Sequence, residues 1–462
     1  MVLLLQAGLV YSPAALFSLL SITGLSAASS HMVAAFVVKP QNARVLSLLS
    51  VAVLALPALA SGWLMQPGVS LAHLQATALL CGLGGGSFAA LALRIRQQPY
   101  PQQEALLGLG SGLGHLGIAV SQMVLPLLVT VGLYLVPPLP VAAGHISTFL
   151  GSLQVPWFYP AQAGYFWPLL ISLLLPVGVL TGGLWRSLGQ SGRWLKMLLA
   201  CPLVCVAGLW LTLPPEAGGS GLQVSRELVL AAVVLLLLIG LRFLPDGEQQ
   251  LRGLLNNRHT WIMSLLYAMS LGSLLGLAIA MPLTLELVFA WLPADGTRIP
   301  NPNAPGIFTY VWMGGLVGVL AQPAGTWLAK HYGWPEVSRC CAFVMLLTAA
   351  GIAFYFRRAW HASEPEQFFL PLLMLVFILF AAAGACYAAL GLATRQLFPD
   401  RQWLVIRVWL TGVASYGMFY VPHLLGEQLT RGTPEQALIG FALFYGLCLL
   451  ISSWFYPTAT RR

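Results

Sequence analysis

The chain has 462 residues, of which 58% are hydrophobic and only 8% charged, and its mean hydropathy is +0.82. About a quarter of residues are charged in soluble domains, so this composition describes a polytopic membrane protein. The net charge of +9 comes from Lys and Arg in short gaps between apolar runs, which excludes a nucleic-acid-binding surface and places the lipid bilayer as the chain's environment.

The first twenty residues, MVLLLQAGLVYSPAALFSLL, lack a positive n-region and a small-residue cleavage site, so they do not read as a signal peptide. Too few apolar residues precede Gln6 for a full crossing, and the chain reads as starting partway through a shortened or missing first helix. Spans of about 20 apolar residues then fall near 12–38, 45–65, 74–93, 106–135, 164–184, 195–213, 228–244, 261–283, 307–328, 340–356, 368–392, 404–421 and 437–454. The expectation is an all-α, multi-pass bundle of about thirteen crossings. Lys39 and Arg44, Arg94 and Arg96, Arg186 to Lys196, Lys330 and Arg339, and Arg395 and Arg401 collect on one side when the spans alternate. That side is cytoplasmic by the positive-inside rule. Arg357 and Arg358 are the main exception.

Two stretches dominate the first half: LLCGLGGGSFAALAL at 79–93 and LGLGSGLGHLGIAVSQ at 107–122. Glycine inside a helix costs about 1 kcal/mol against alanine, so its repeated use needs a reason. In membranes, small residues four apart let helix backbones approach. Gly82/Gly86 and Gly110/Gly114 have that spacing; with Gly84, Gly85, Gly108, Gly112 and Gly117 they are expected to pack the two segments tightly against each other. The near GxGxxG string in the second stretch lies in a span, so it carries no dinucleotide reading. GGSFAALAL at 85–93 is echoed by GACYAALGL at 384–392, which points to two related halves. The seven cysteines, mostly inside apolar runs, read as packing rather than a disulfide framework.

Polar residues inside spans are the functional candidates. His31 lies eight residues before Lys39 and is flanked at helical spacing by Ala27, Ala28, Ala34 and Ala35. It can bind an anion and carry a proton, or simply bond a neighbouring helix; both readings stand. Gln322 lies eight residues before Lys330, so the two side chains are expected at similar depth, facing one another if the halves are related by an axis along the membrane normal. Its other reading is an interhelical bond beside Pro323. His115, Gln122, Tyr267, Tyr387, Arg407 and His423 are further candidates, with Phe88 and Tyr267 as aromatic walls for a small ligand. Arg407 sits near a cytoplasmic end, where snorkelling accounts for it. No metal-ligand spacing, cofactor-binding loop or catalytic triad appears, so transport rather than catalysis is expected.

The two glycine-rich stretches resemble the nitrate motif and following helix of the nitrate/nitrite porter family of the major facilitator superfamily. RHTWIMSLLYAMSLGSLLG at 258–276 resembles the start of that family's second half, and GMFYVPHLLG and FYGLC near the end are also similar. The resemblance implies a two-halved bundle: an N-terminal half at 1–190, an inserted helix pair with linker at 191–256 and a C-terminal half at 257–462. It also implies a multi-pass protein of a bacterial inner membrane that moves nitrate or nitrite, with protons as possible partners, through a site at His31, Phe88, Tyr267 and Gln322. Family members hold nitrate between two arginines, and the matching positions here are His31 and Gln322. Two guanidiniums offer permanent charge and forked donors, whereas Gln offers dipoles and His charges conditionally. Three readings follow: a nitrate/nitrite transporter, a transporter of a less charged solute, or a non-transporting sensor or assembly protein with the same fold.

Overall fold

A computed structural model describes residues 11–37, 55–64, 69–85, 100–131, 138–140, 145–159, 253–294, 297–399 and 402–457, together with single positions 92, 95, 162, 228, 231, 232, 235, 236 and 239. Among the described residues, eight helical segments are long and apolar enough to cross a membrane. The expected spans at 164–184, 195–213 and 228–244, including the inserted pair, lie outside the described residues apart from those single positions.

In the first half α1 is Pro13–Val37, α2 Ala55–Leu64 and α3 Leu71–Cys81, which tightens into a 3-10 turn at Gly82–Gly85; α4 is Tyr100–Leu128. In the second half α5 is Arg258–Tyr267 and α6 Ser273–Phe289, joined by a π turn at Ala268–Gly272. Then come α7 (Ile307–Tyr332), α8 (Trp334–His361), α9 (Phe369–Leu397), α10 (Trp403–Ser415), α11 (Gly417–Thr430) and α12 (Pro434–Phe455). The span expected at 404–421 is therefore two helices, broken at Tyr416 and continuing to Thr430.

The bundle is not purely helical. Outer-side loops form small antiparallel pairs, β1 (Leu139–Pro140) with β4 (Trp157–Phe158), β2 (His145–Thr148) with β3 (Gly151–Gln154), and β5 (Trp291–Ala294) with β6 (Thr297–Pro300). Outside the hydrocarbon, strands are as good a way as helices to satisfy backbone groups, a freedom lost within it.

Close packing follows the small residues. The 3-10 turn lies on α1: a Cβ at Gly82 would meet Thr23, Ser26 and Ala27, and one at Gly85 would meet the Ala27 backbone. In the second half, Gly384 of α9 lies on the Gly318 backbone of α7, and Gly325 of α7 on Ala385. The echoed motif thus makes the same kind of contact twice, each time against a helix that carries a candidate polar residue.

The expected tight pairing of the two glycine stretches is not what the structure shows. A Cβ at Gly108, Gly112, Gly114 or Gly117 would meet nothing within 4 Å. Instead α4 packs on α7. Gly108 and Gly112 line an opening, and Gly114 and Gly117 are exposed, rather than joining two backbones.

Candidate functional site

The halves meet along two seams. On the first, α1 runs the length of α10 and α11: Phe17 packs at Gly426, Gly24 lies on the backbone of Met418 and Phe419, and Ser29 Oγ and Tyr416 Oη are 3.2 Å apart. His31, 4% exposed, belongs to this seam. Its Nε2 lies 3.0 Å from the Val408 carbonyl and 3.1 Å from Thr411 Oγ1, and its ring also bonds the Gly85 backbone. The small residues around His31 therefore admit a close helix contact, the second of its two sequence readings.

On the second seam, α4 faces α7. A Cβ built on Gly315 would be 3.4 Å from that of Ala119, and Gln122 Nε2 donates to the Ala278 carbonyl of α6 at 2.8 Å. Further out, the β2–β3 hairpin caps α7. The Phe308 amide donates to Ser147 Oγ at 3.4 Å and Thr309 Oγ1 to the Thr148 carbonyl at 2.9 Å. These satisfy groups that a helix N-terminus otherwise leaves open.

Toward the basic side α4 and α7 part. The cleft between them has a volume of roughly 590 Å³, within the usual range for small-molecule sites. Its described lining comes from Gly108, Ser111, Gly112 and Leu116 of α4, from Gln322, Thr326 and Lys330 of α7, from Tyr387 and Gly391 of α9, and from Arg407 of α10. A larger groove between α8 and α12, walled by side chains such as Phe354 and Leu443, faces lipid: Leu443 is 71% exposed.

A polar chain runs along the inner end of the cleft. Gln322 Nε2 is 3.0 Å from His115 Nδ1, and the His115 ring meets the edge of Tyr387, centroids 5.5 Å apart. Behind it stands Tyr267, whose ring is T-shaped to Tyr387 at 5.8 Å and whose hydroxyl lies 2.9 Å from Thr394 Oγ1. Tyr267 and Tyr387 are both buried; of the two, Tyr387 contributes to the cleft lining and Tyr267 stands behind it. Gly84 is buried in the 3-10 turn and Gly110 lies in α4, whereas Phe88 and Gly86 lie outside the described residues.

Of the expected quartet, Gln322 reaches the cleft, Tyr267 stands one layer behind it and His31 occupies the other seam; His31 and Gln322 are not brought together. Of the further candidates, His115 is Gln322's direct neighbour and Tyr387 packs against His115. Thr394 and Thr411 were not singled out, because a lone threonine inside a helix ordinarily bonds its own preceding turn, as both do here. Arg407 is 7% exposed, so it does not snorkel; its guanidinium lies over Gly391, where a Cβ would come within 2.9 Å of Nη2.

A two-seamed bundle of membrane-spanning helices with a cleft between its halves defines a multi-pass membrane protein of the major facilitator type. Solved structures agree on the fold: a POT family transporter in complex with 5-aminolevulinic acid matches with TM-score 0.58 at 13% identity, covering 96% of this chain and 88% of that one. The xylose transporter XylE from E. coli, in a partially occluded inward-open conformation, matches with TM-score 0.52 at 13% identity, covering 97% and 91%. No protein-family model matches the chain. The nitrate/nitrite transporter NarU of Salmonella typhimurium is 24% identical over 457 residues, 95% of this chain and 82% of that protein. The probable nitrate/nitrite antiporter NarK2 of Thermus thermophilus is 24% identical over 462 residues, 98% and 85%. Over nearly its whole length the chain is thus similar to nitrate/nitrite transporters, and it has the fold of the solved major facilitator-type transporters.

Proposed function

We propose that the chain carries nitrate or nitrite across the membrane by alternating access, the two halves rocking about the α1–α10/α11 seam. What supports this best is the cleft between the halves, lined by α4 on one side and by α7, α9 and α10 on the other: it includes Gln322, the position matching one of the family's ligand arginines. In this reading Gln322 and His115 hydrogen-bond the solute and Tyr387, supported by Tyr267, offers it an aromatic wall, with Phe88 opposite. His31 serves the seam. Gly108 and Gly112 of α4 keep the wall thin enough for solute to pass.

A transporter of a less charged solute is the second reading, favoured by the neutral Gln322–His115 pair. Proteoliposome flux of nitrate, nitrite and neutral solutes decides between them. The first reading expects oxyanion flux that falls about tenfold in Gln322→Ala, the loss of one or two hydrogen bonds to an ion. Oxyanion flux equal in wild type, Gln322→Ala and His115→Ala would remove the site from this cleft.

A further inference from the structure

Two positions that hold arginine in nitrate porters are His31 and Gln322 here, yet the cleft is not without a guanidinium. Arg407 is 7% exposed and contributes to the cleft lining together with Gln322, Tyr387 and Lys330. Within a membrane bundle a buried charge is expensive and marks ion or substrate pathways.

The local sequence makes room for it. Arg407 lies one turn into α10, which begins at Trp403, about 6 Å from that helix end at 1.5 Å per residue. Across from it α9 presents Gly391, whose bare Cα gives the planar group its place; any side chain at 391 would intrude on it. One turn further along α10 is Thr411, which meets His31, so the helix is anchored to α1 just beyond the arginine. The described lining holds two cations, Arg407 and Lys330, and no carboxylate.

We infer that Arg407 is the charge partner of the transported anion: the site is a small planar monoanion site, with Arg407 giving it a forked pair of donors, Gln322 a neutral donor and Lys330 an electropositive mouth. This rests on the transport reading above and changes where its charge recognition lies, from the helices that carry His31 and Gln322 to α10. Such a move explains how a chain can lack both family arginines and still bind an anion.

The experiment uses full-length protein, purified and reconstituted, with nitrate, nitrite, formate and neutral solutes of similar size as probes. Initial flux and ligand-induced thermal stabilisation are measured for wild type, Arg407→Gln, Arg407→Lys and Gly391→Ala, each checked for monodispersity and unliganded melting. The expected result is a rise in anion KM of about tenfold to a hundredfold for Arg407→Gln, the scale of a lost charge-assisted contact. Arg407→Lys should recover part of it, because lysine keeps the charge and loses the fork. Gly391→Ala should weaken anion binding with the arginine intact. A folded Arg407→Gln protein with wild-type KM and anion stabilisation would overturn the assignment while leaving anion transport standing. Flux or stabilisation by neutral solutes alone in wild type would overturn both.

Discussion

Gln322 and His115 meet through one neutral contact of 3.0 Å inside the membrane, and His31 is bound to α10 by two contacts of similar length. Buried interhelical hydrogen bonds in membranes are worth about 0.6 to 2 kcal/mol each. His31→Ala should therefore lower the melting temperature in detergent by an amount equivalent to about 1–2 kcal/mol, while anion-induced stabilisation persists. Loss of that ligand response in folded His31→Ala protein would return His31 to the binding site. Sequence made the polar residues visible, since each is costly in its span. Their partners were not visible: His31 and Gln322 lie at matched distances from a lysine, but which side of its helix each one faces is set by neighbours hundreds of residues away. Arg407 shows the same gap. Its place near a helix end suggests snorkelling, whereas in the fold its guanidinium lies over Gly391, sixteen residues earlier and on another helix.

Helix pairing depends on where a glycine has a neighbour. Gly384 lies directly on the Gly318 backbone, whereas Gly112 faces open space. Gly384→Leu should destabilise the second half by about 1–3 kcal/mol or more through overpacking, read as a fall in thermal midpoint and in yield of monodisperse protein. Gly112→Ala should leave the midpoint unchanged or raise it, since alanine is the better helix former by about 1 kcal/mol. If the two variants melted alike, the packing contrast between the motifs would be wrong. Gly82 and Gly85 of the 3-10 turn meet a neighbouring backbone, and Gly384 of α9 does so with no glycine four residues away. In α4 four-residue glycine spacing lines a cleft, because composition gives no sign of whether a partner helix or empty space stands opposite.

The α4–α7 seam, closed where Gly315 meets Ala119 and open beside Gly108 and Gly112, can be trapped. A Cβ on Gly315 would lie 3.4 Å from that of Ala119, close to the separation of about 3.5–4.5 Å that a disulfide spans. The Ala119→Cys/Gly315→Cys protein should cross-link under mild oxidation, stop solute exchange and recover on reduction. Free exchange in the cross-linked protein would show that the α4–α7 seam does not open during transport. Hydropathy and the echoed motif made two halves legible from sequence, but not the outer hairpins, whose short strands have too little periodicity to stand out between long apolar runs. Under the proposed transport, a cleft with two cations and no carboxylate among its described lining residues would also make the protein sensitive to voltage. Loaded with a monoanion it moves less positive charge than when empty, and each charge crossing a 100 mV potential is worth about 2.3 kcal/mol. With the inside negative, the unloaded form should dwell facing the cytoplasm and return outward slowly; valinomycin-clamped liposomes should show that return step quicken as the potential is collapsed.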